Sequence, residues 1–153
     1  MKLRVLWVGK TQQEWVRSGI EEYAGRIKRY TPFELTEVRE EKGAVAETAR
    51  QLECARLEKQ LPKTAQLILL DERGEELTSP AFADFLGKSR ELGTTELAFA
   101  IGGAYGFSAG FRGRGVKTIA LSKMTFTHQM VRVFLLEQIY RGFTILNGEP
   151  YHH

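Results

Sequence analysis

The chain has 153 residues and a formal net charge of +3, a length that predicts a single domain over 1–153. Hydrophobic residues make up 42% and charged residues 27% of the sequence, which is typical of globular proteins and excludes long disorder. No apolar run is long enough to cross a membrane, so no membrane partner is expected. A lone Cys54 cannot form an internal disulfide, which favours a cytoplasmic location.

The first half of the chain alternates between strand patterns and helix patterns. Apolar or alternating segments predict strands, and Ala-, Leu- and Glu-rich or amphipathic segments predict helices. The predicted strands are 2–9, 33–39 and 66–71, and the predicted helices are 12–29 and 44–61.

The same alternation continues in the second half. Residues 71–74 are predicted to form a turn, and Ser79 and Pro80 predict the start of a helix, with Ser79 as its N-cap. Two more strands over 95–102 and 116–122 and a helix over 128–143 follow. Strands alternating with helices predict an α/β fold with a mostly parallel sheet flanked by helices.

The residue inventory excludes several familiar sites. Three His and one Cys, without HExxH or CxxC spacing, predict no metal site. Residues 110–118 resemble a phosphate loop, but Val116 separates the Gly from the Lys-Thr pair, and a strand rather than a helix follows. Gly102-Gly103 follows a strand without completing a G-x-G-x-x-G fingerprint.

Three segments leave buried strands at their carboxyl ends, namely 69–71, 101–103 and 121–127. In an open α/β sheet, ligands bind outside these strand ends. The segments hold Gly, Leu, Met, Phe, Ser and Thr with few charges, which suits a flat, mostly neutral ligand such as an adenine ring. Taken one at a time, the Gly pair is equally well explained by a turn, and Met124 and Phe126 by core packing.

Positive charge concentrates between Tyr105 and Arg141, where six basic residues face one acid, Glu137. This pattern predicts a phosphate-contacting surface, although solvated helix faces explain such charges as well. The candidates for this contact, which would bind RNA if the substrate is a nucleic acid, are Arg112, Arg114, Lys117 and Arg141, with Lys123 and Arg132 as further members.

Four motifs then follow one another in a fixed order. They are Ile101-Gly102-Gly103-x-x-Gly106-x-Ser108, Leu121-Ser122-x-Met124-Thr125, the run from His128 to Arg141, and Pro150-Tyr151-His152. Together they closely resemble the RlmH-type methyltransferases of the SPOUT superfamily, and the resemblance spans 1–153. The chain departs from that pattern at Ala104-Tyr105, where relatives carry Pro-Glu.

This resemblance implies a trefoil knot, with the knot and the cofactor site within about 98–153. It also implies a homodimer that binds S-adenosylmethionine and methylates N3 of pseudouridine 1915 in helix 69 of 23S rRNA, in the large subunit or the 70S ribosome. The cofactor contacts carried over by position are Leu70, Gly103, Ser122, Lys123, Met124, Thr125, Phe126 and Thr127.

Four residues are candidates for activating the target base: His152, Tyr151, Arg132 and His128. His152 is favoured as the base because a neutral imidazole accepts a proton, and Tyr151 is expected to stack on the target or hydrogen-bond to it. Arg132 binds phosphate or an oxyanion, or else forms a salt bridge to Glu137 or another acid. His128 is a catalyst or a helix-start residue, and the tail is expected to reach the partner's site.

Three other functions stay open on the sequence alone. The first is a non-enzymatic, ribosome-associated RNA-binding protein. The second is an enzyme that uses another adenine-containing cofactor, which the missing G-x-G-x-x-G disfavours. The third is a knotted methyltransferase that acts on transfer RNA.

Overall fold

The computed structural model describes all 153 residues, and its centre is a five-stranded sheet with the order β2-β1-β4-β3-β5. The strands are β1 (Lys2–Val8), β2 (Phe33–Val38), β3 (Gln66–Glu76), β4 (Glu96–Ile101) and β5 (Lys117–Ala120). Every pair of neighbouring strands is parallel. The predicted α/β fold with a mostly parallel sheet is therefore confirmed.

Five helices cover the sheet. They are α1 (Glu14–Ile27), α2 (Ala46–Lys59), α3 (Ser79–Glu91), α4 (Ala109–Arg114) and α5 (His128–Leu146). Helices α1 and α3 both pack against α5, and α2 packs against α4. None of the helices is long and apolar enough to span a membrane.

The core has two parts because alternate residues of each central strand face opposite sides. On β1, Leu3 and Val5 belong to a cluster of 20 buried residues shared with α1, α3 and α5. Leu6 and Val8 belong to a cluster of 13 buried residues that includes side chains of α2 and α4. A strand buried on both faces needs a continuous apolar run, which is the pattern that predicted these strands.

The region after Leu70 differs from the prediction. Residues 71–74 are not a simple turn, because β3 continues to Glu76. Its pairing with β5 shifts between Leu70 and Glu75, so 71–74 bulge out of the ladder. Gly74 lies directly on the backbone of Ile119, where an added Cβ would be 2.6 Å from the carbonyl carbon.

Two helix starts also differ. The N-cap of α3 is Thr78 rather than Ser79, since the Thr78 hydroxyl accepts a hydrogen bond from the Ala81 N–H at 3.2 Å. Helix α4 has no counterpart among the predicted elements and is capped by Ser108. The trefoil knot and the single domain over 1–153 stay predictions.

Candidate functional site

The strands β4, β3 and β5 are neighbours in the sheet. The segments after β4 and β5, together with the bulge of β3, line a cavity of about 720 Å³. We call it the strand-end slot. Its walls come from residues 70–73, 101–107 and 121–126 without Lys123, with Arg50, Ala109, Arg112, His128 and Val131 completing the lining. This volume is in the range of sites that hold small organic ligands and cofactors.

Six of the eight residues predicted to contact a cofactor line this slot: Leu70, Gly103, Ser122, Met124, Thr125 and Phe126. The other two point elsewhere. The Lys123 side chain is 90% exposed, with its ammonium 3.8 Å from a carboxylate oxygen of Glu76. Thr127 caps α5 by accepting a hydrogen bond from the Met130 N–H.

One wall of the slot is a glycine loop whose shape depends on the absence of side chains. The Gly106 N–H donates to the Gly103 carbonyl at 3.0 Å, and Gly106 has a φ of +73°. A Cβ on Gly103 would lie 2.7 Å from Oε1 of Glu53, and one on Gly102 would lie 3.3 Å from the Gly106 backbone. The loop backbone therefore packs closely against Glu53 and against itself while lining the slot. Its close approach to a bound ligand stays a prediction.

The opposite wall is the segment after β5. The Met124 N–H donates to the Ser122 hydroxyl at 3.0 Å, and the Thr125 hydroxyl donates to Glu72 at 2.5 Å. Met124 is 75% exposed, so core packing does not explain it. The Phe126 ring packs against Phe134, with 5.1 Å between ring centroids.

The slot carries more charge than the sequence indicated. Asp71 accepts from Arg112 at 2.6 Å and from Arg73 at 3.2 Å. Burial alone would raise the pKa of Asp71, but the hydrogen bonds from these two arginines outweigh it and hold the pKa well below the ordinary range. The expectation of few charges was wrong, because the bulge at 71–74 turns Asp71, Glu72 and Arg73 toward the cavity.

The four predicted RNA-contacting residues all have partners within the chain, and their contact with RNA stays a prediction. Only Arg112 lines the slot. Arg114 donates to the carbonyl oxygens of Ala65 at 3.0 Å and Pro62 at 3.1 Å. Two further residues pair with acids, Lys117 with Glu75 and Arg141 with Glu137.

Arg132 is held inside the protein by hydrogen bonds to other parts of the chain. It is 2% exposed and donates to the Val8 carbonyl at 2.9 Å and to the Thr11 hydroxyl at 2.8 Å. Its salt-bridge partner is Glu37 at 3.6 Å rather than Glu137. Burial lowers the pKa of this guanidinium. Arg132 does not line the slot, so the geometry of a single chain gives no support to its predicted catalytic role.

Comparison with known proteins identifies the family. A family model described as a predicted SPOUT methyltransferase matches residues 1–152. The chain belongs to the SPOUT methyltransferase family. The resemblance inferred from the four motifs is thereby confirmed.

Named relatives match along the whole chain. The chain is 72% identical to the "Ribosomal RNA large subunit methyltransferase H" of Geotalea uraniireducens and 67% identical to that of Geobacter sulfurreducens, with all of each chain covered. A solved structure of the SpoU methyltransferase AviRb from Streptomyces viridochromogenes, in complex with AdoMet, matches with a TM-score of 0.48 and 16% identity. That match covers 90% of this chain and 56% of the AviRb chain.

The carboxyl-terminal tail of this SPOUT protein is bound to α5 and does not line its own slot. The Tyr151 hydroxyl donates to Glu137 at 3.0 Å, and His152 Nδ1 is 3.2 Å from Arg141 Nη1. Burial raises the pKa of Tyr151, and interactions with the Tyr23 hydroxyl and with Glu137 raise it further. Arg141 is roughly 20 Å along the helix from His128, at 1.5 Å per residue. His128, in contrast, is the first residue of α5 and lines the slot.

Arg50 and Tyr105 are among the slot residues that the site prediction missed. Arg50 belongs to α2, whose sequence resembles any charged surface helix, so no local signal marked it. Tyr105 stood out only as a departure from the family pattern, and the structure places it in the lining of the slot. No group of His, Cys, Asp and Glu side chains is arranged to hold a metal ion.

Proposed function

We propose that this SPOUT methyltransferase uses S-adenosylmethionine to methylate N3 of pseudouridine 1915 in helix 69 of 23S rRNA. The observation that carries the proposal is the convergence of three strand-end segments on one slot. Full-length identity to proteins named ribosomal RNA large subunit methyltransferase H supports the choice of substrate.

The residues of the slot fit the methyl donor. Its flat adenine needs apolar walls and backbone hydrogen-bonding groups, which the regions around Leu70, Gly103 and 122–126 provide. The absence of a Cβ at Gly103 lets this backbone pack closely against Glu53 and Val8, which fixes the position of the loop at the slot. When bound, S-adenosylmethionine supplies a methyl group already activated by a sulfonium, so the protein's task is alignment, exclusion of water and removal of a proton.

Proton removal is the step that this chain must catalyse. The N3 atom of pseudouridine is an imide nitrogen, and its lone pair becomes available when its proton leaves. His128 lies at the slot of its own chain. His152 and Tyr151 are held on α5 by Arg141 and Glu137 and do not line that slot, so in our proposal they act in the slot of a second copy.

A homodimer follows from this division of residues between two chains. Dimerisation also supplies the surface that a chain of 153 residues lacks for a large RNA. The assembled large subunit or 70S ribosome would present the target base, and the enzyme would therefore act in the cytoplasm.

The direct test is methylation of ribosomes from a strain that lacks this modification, with the methylated nucleotide mapped by mass spectrometry. We expect a single methyl group on N3 of pseudouridine 1915. A methyl group on another nucleotide would contradict the proposed target. RNA binding without any affinity for S-adenosylmethionine would instead favour a non-enzymatic RNA-binding protein.

Deleting Tyr151–His153 tests the role of the tail. The truncated chain should bind S-adenosylmethionine normally and transfer no methyl group. Co-expression with a slot variant that retains its tail should restore activity, because the mixed dimer has one complete site. Full activity of the truncated homodimer would rule out a catalytic tail.

A further inference from the structure

The rim of the strand-end slot carries an aromatic side chain that nothing in the protein uses. Tyr105 lines the slot and is 47% exposed. Its ring has no aromatic or cationic partner, and its hydroxyl makes no hydrogen bond. The hydrogen bond between Gly106 and Gly103 closes the loop that holds Tyr105 in place. A large ring held at the mouth of a cavity by a closed loop is available to a ligand at little entropic cost.

The rim also carries a cation that is only partly neutralised. Arg73 and Arg112 both bind Asp71. Arg50 instead reaches Glu47 at 2.9 Å, an acid whose side chain is 64% exposed. The Nε atom of Arg50 is buried and has no hydrogen-bond acceptor, but the side chain as a whole is 32% exposed. An anionic group at the rim can therefore pair with this side chain.

An exposed ring and a cation on one rim match the chemistry of an unpaired nucleotide. Its base stacks on an aromatic face, and its phosphate accepts hydrogen bonds from a guanidinium. In a duplex, the neighbouring base pairs cover both faces of a base, so a base-paired nucleotide cannot stack on a side chain. We infer that Tyr105 and Arg50 bind an unpaired nucleotide of the RNA substrate at the mouth of the slot, an inference that rests on the proposed function.

Binding assays on the full-length protein test this directly. The affinity for a short fluorescent single-stranded RNA is measured by anisotropy, and the affinity for S-adenosylmethionine by calorimetry. Tyr105→Ala should weaken RNA binding at least about fivefold, while Tyr105→Phe should stay within about twofold because it keeps the ring. In Tyr105→Ala, the affinity for RNA should fall by a larger factor than the affinity for S-adenosylmethionine.

Arg50→Gln should weaken RNA binding and reduce the slope of log affinity against log salt by about 0.7. Lys59→Gln is the matched control, because it removes the same charge from an exposed position of the same helix. The salt slope of Lys59→Gln should lie closer to the wild-type slope than the salt slope of Arg50→Gln does.

Unchanged RNA affinity in Tyr105→Ala would overturn the inference. A loss of S-adenosylmethionine affinity with RNA affinity intact would also overturn it, because that result would place the ring against the methyl donor. Methyl transfer to ribosomes by the wild type is measured in parallel. If the wild type methylates and the variants bind RNA like it, only this inference fails. If the variants lose RNA affinity but the wild type transfers no methyl group, only the proposed function fails.

Discussion

Replacing Gly103 with alanine should damage both the folding stability and the strand-end slot. The new Cβ would lie 2.7 Å from Oε1 of Glu53 and 3.2 Å from Cγ1 of Val8. Glu53 has little freedom to move away, since it is 3% exposed and its Oε2 accepts from the Glu41 N–H at 3.0 Å. Overpacking of this kind lowers the free energy of unfolding by about 1–3 kcal/mol. The displaced loop should also weaken binding of S-adenosylmethionine about tenfold, an effect of about 1.4 kcal/mol.

Urea unfolding and calorimetry measure the two effects. With an m-value of about 2 kcal/mol/M, the urea midpoint should fall by roughly 0.5–1.5 M. Gly113→Ala is the control, because a Cβ there meets nothing within 4 Å and alanine favours the helix that contains it. Its midpoint should stay the same or rise. A Gly103→Ala protein with an unchanged midpoint and unchanged affinity would refute the tight packing between the glycine loop and Glu53.

Three further changes test other parts of the structure. Gly74→Ala places a Cβ 2.6 Å from the Ile119 backbone, which cannot rotate away, so we expect a loss of about 3 kcal/mol in urea unfolding; a stable variant would contradict the register between β3 and β5. Arg132→Met removes two buried hydrogen bonds and should cost about 2–4 kcal/mol; normal stability with a reduced salt slope for RNA binding would make Arg132 an RNA contact instead. Because the pKa of Asp71 is depressed, its charge stabilises the fold at neutral pH, and this stabilisation is lost as the pH falls below about 4 toward the depressed pKa. The difference in melting temperature between the wild type and Asp71→Asn should therefore narrow from pH 7 to pH 3, and parallel pH profiles would contradict the Asp71–Arg112 pair.

The position of the site could be predicted from the sequence because two simple rules combine there. Continuous apolar runs such as 66–71 and 95–102 indicate parallel strands buried on both faces. Ligands of such sheets bind at the carboxyl ends of the strands. The Gly pair and the segment after β5 were therefore expected near Leu70, and the structure confirms that they meet there.

The side-chain partners were harder to predict because they depend on long-range geometry. Arg132 finds its acceptors more than 100 positions away, at Val8 and Thr11, and no local pattern encodes that. The bulge at 71–74 arises from a pairing shift against β5, a strand that comes much later in the chain. Arg50 reaches the slot only because α2 packs beside β1 and α4.

The central claim is that the strand-end slot binds the methyl donor. A crystal structure of the protein with S-adenosylmethionine tests it most directly. We predict that the donor lies between the glycine loop and the segment after β5, in contact with Leu70, Gly103 and Met124. A donor bound at any other place on the chain would contradict this account.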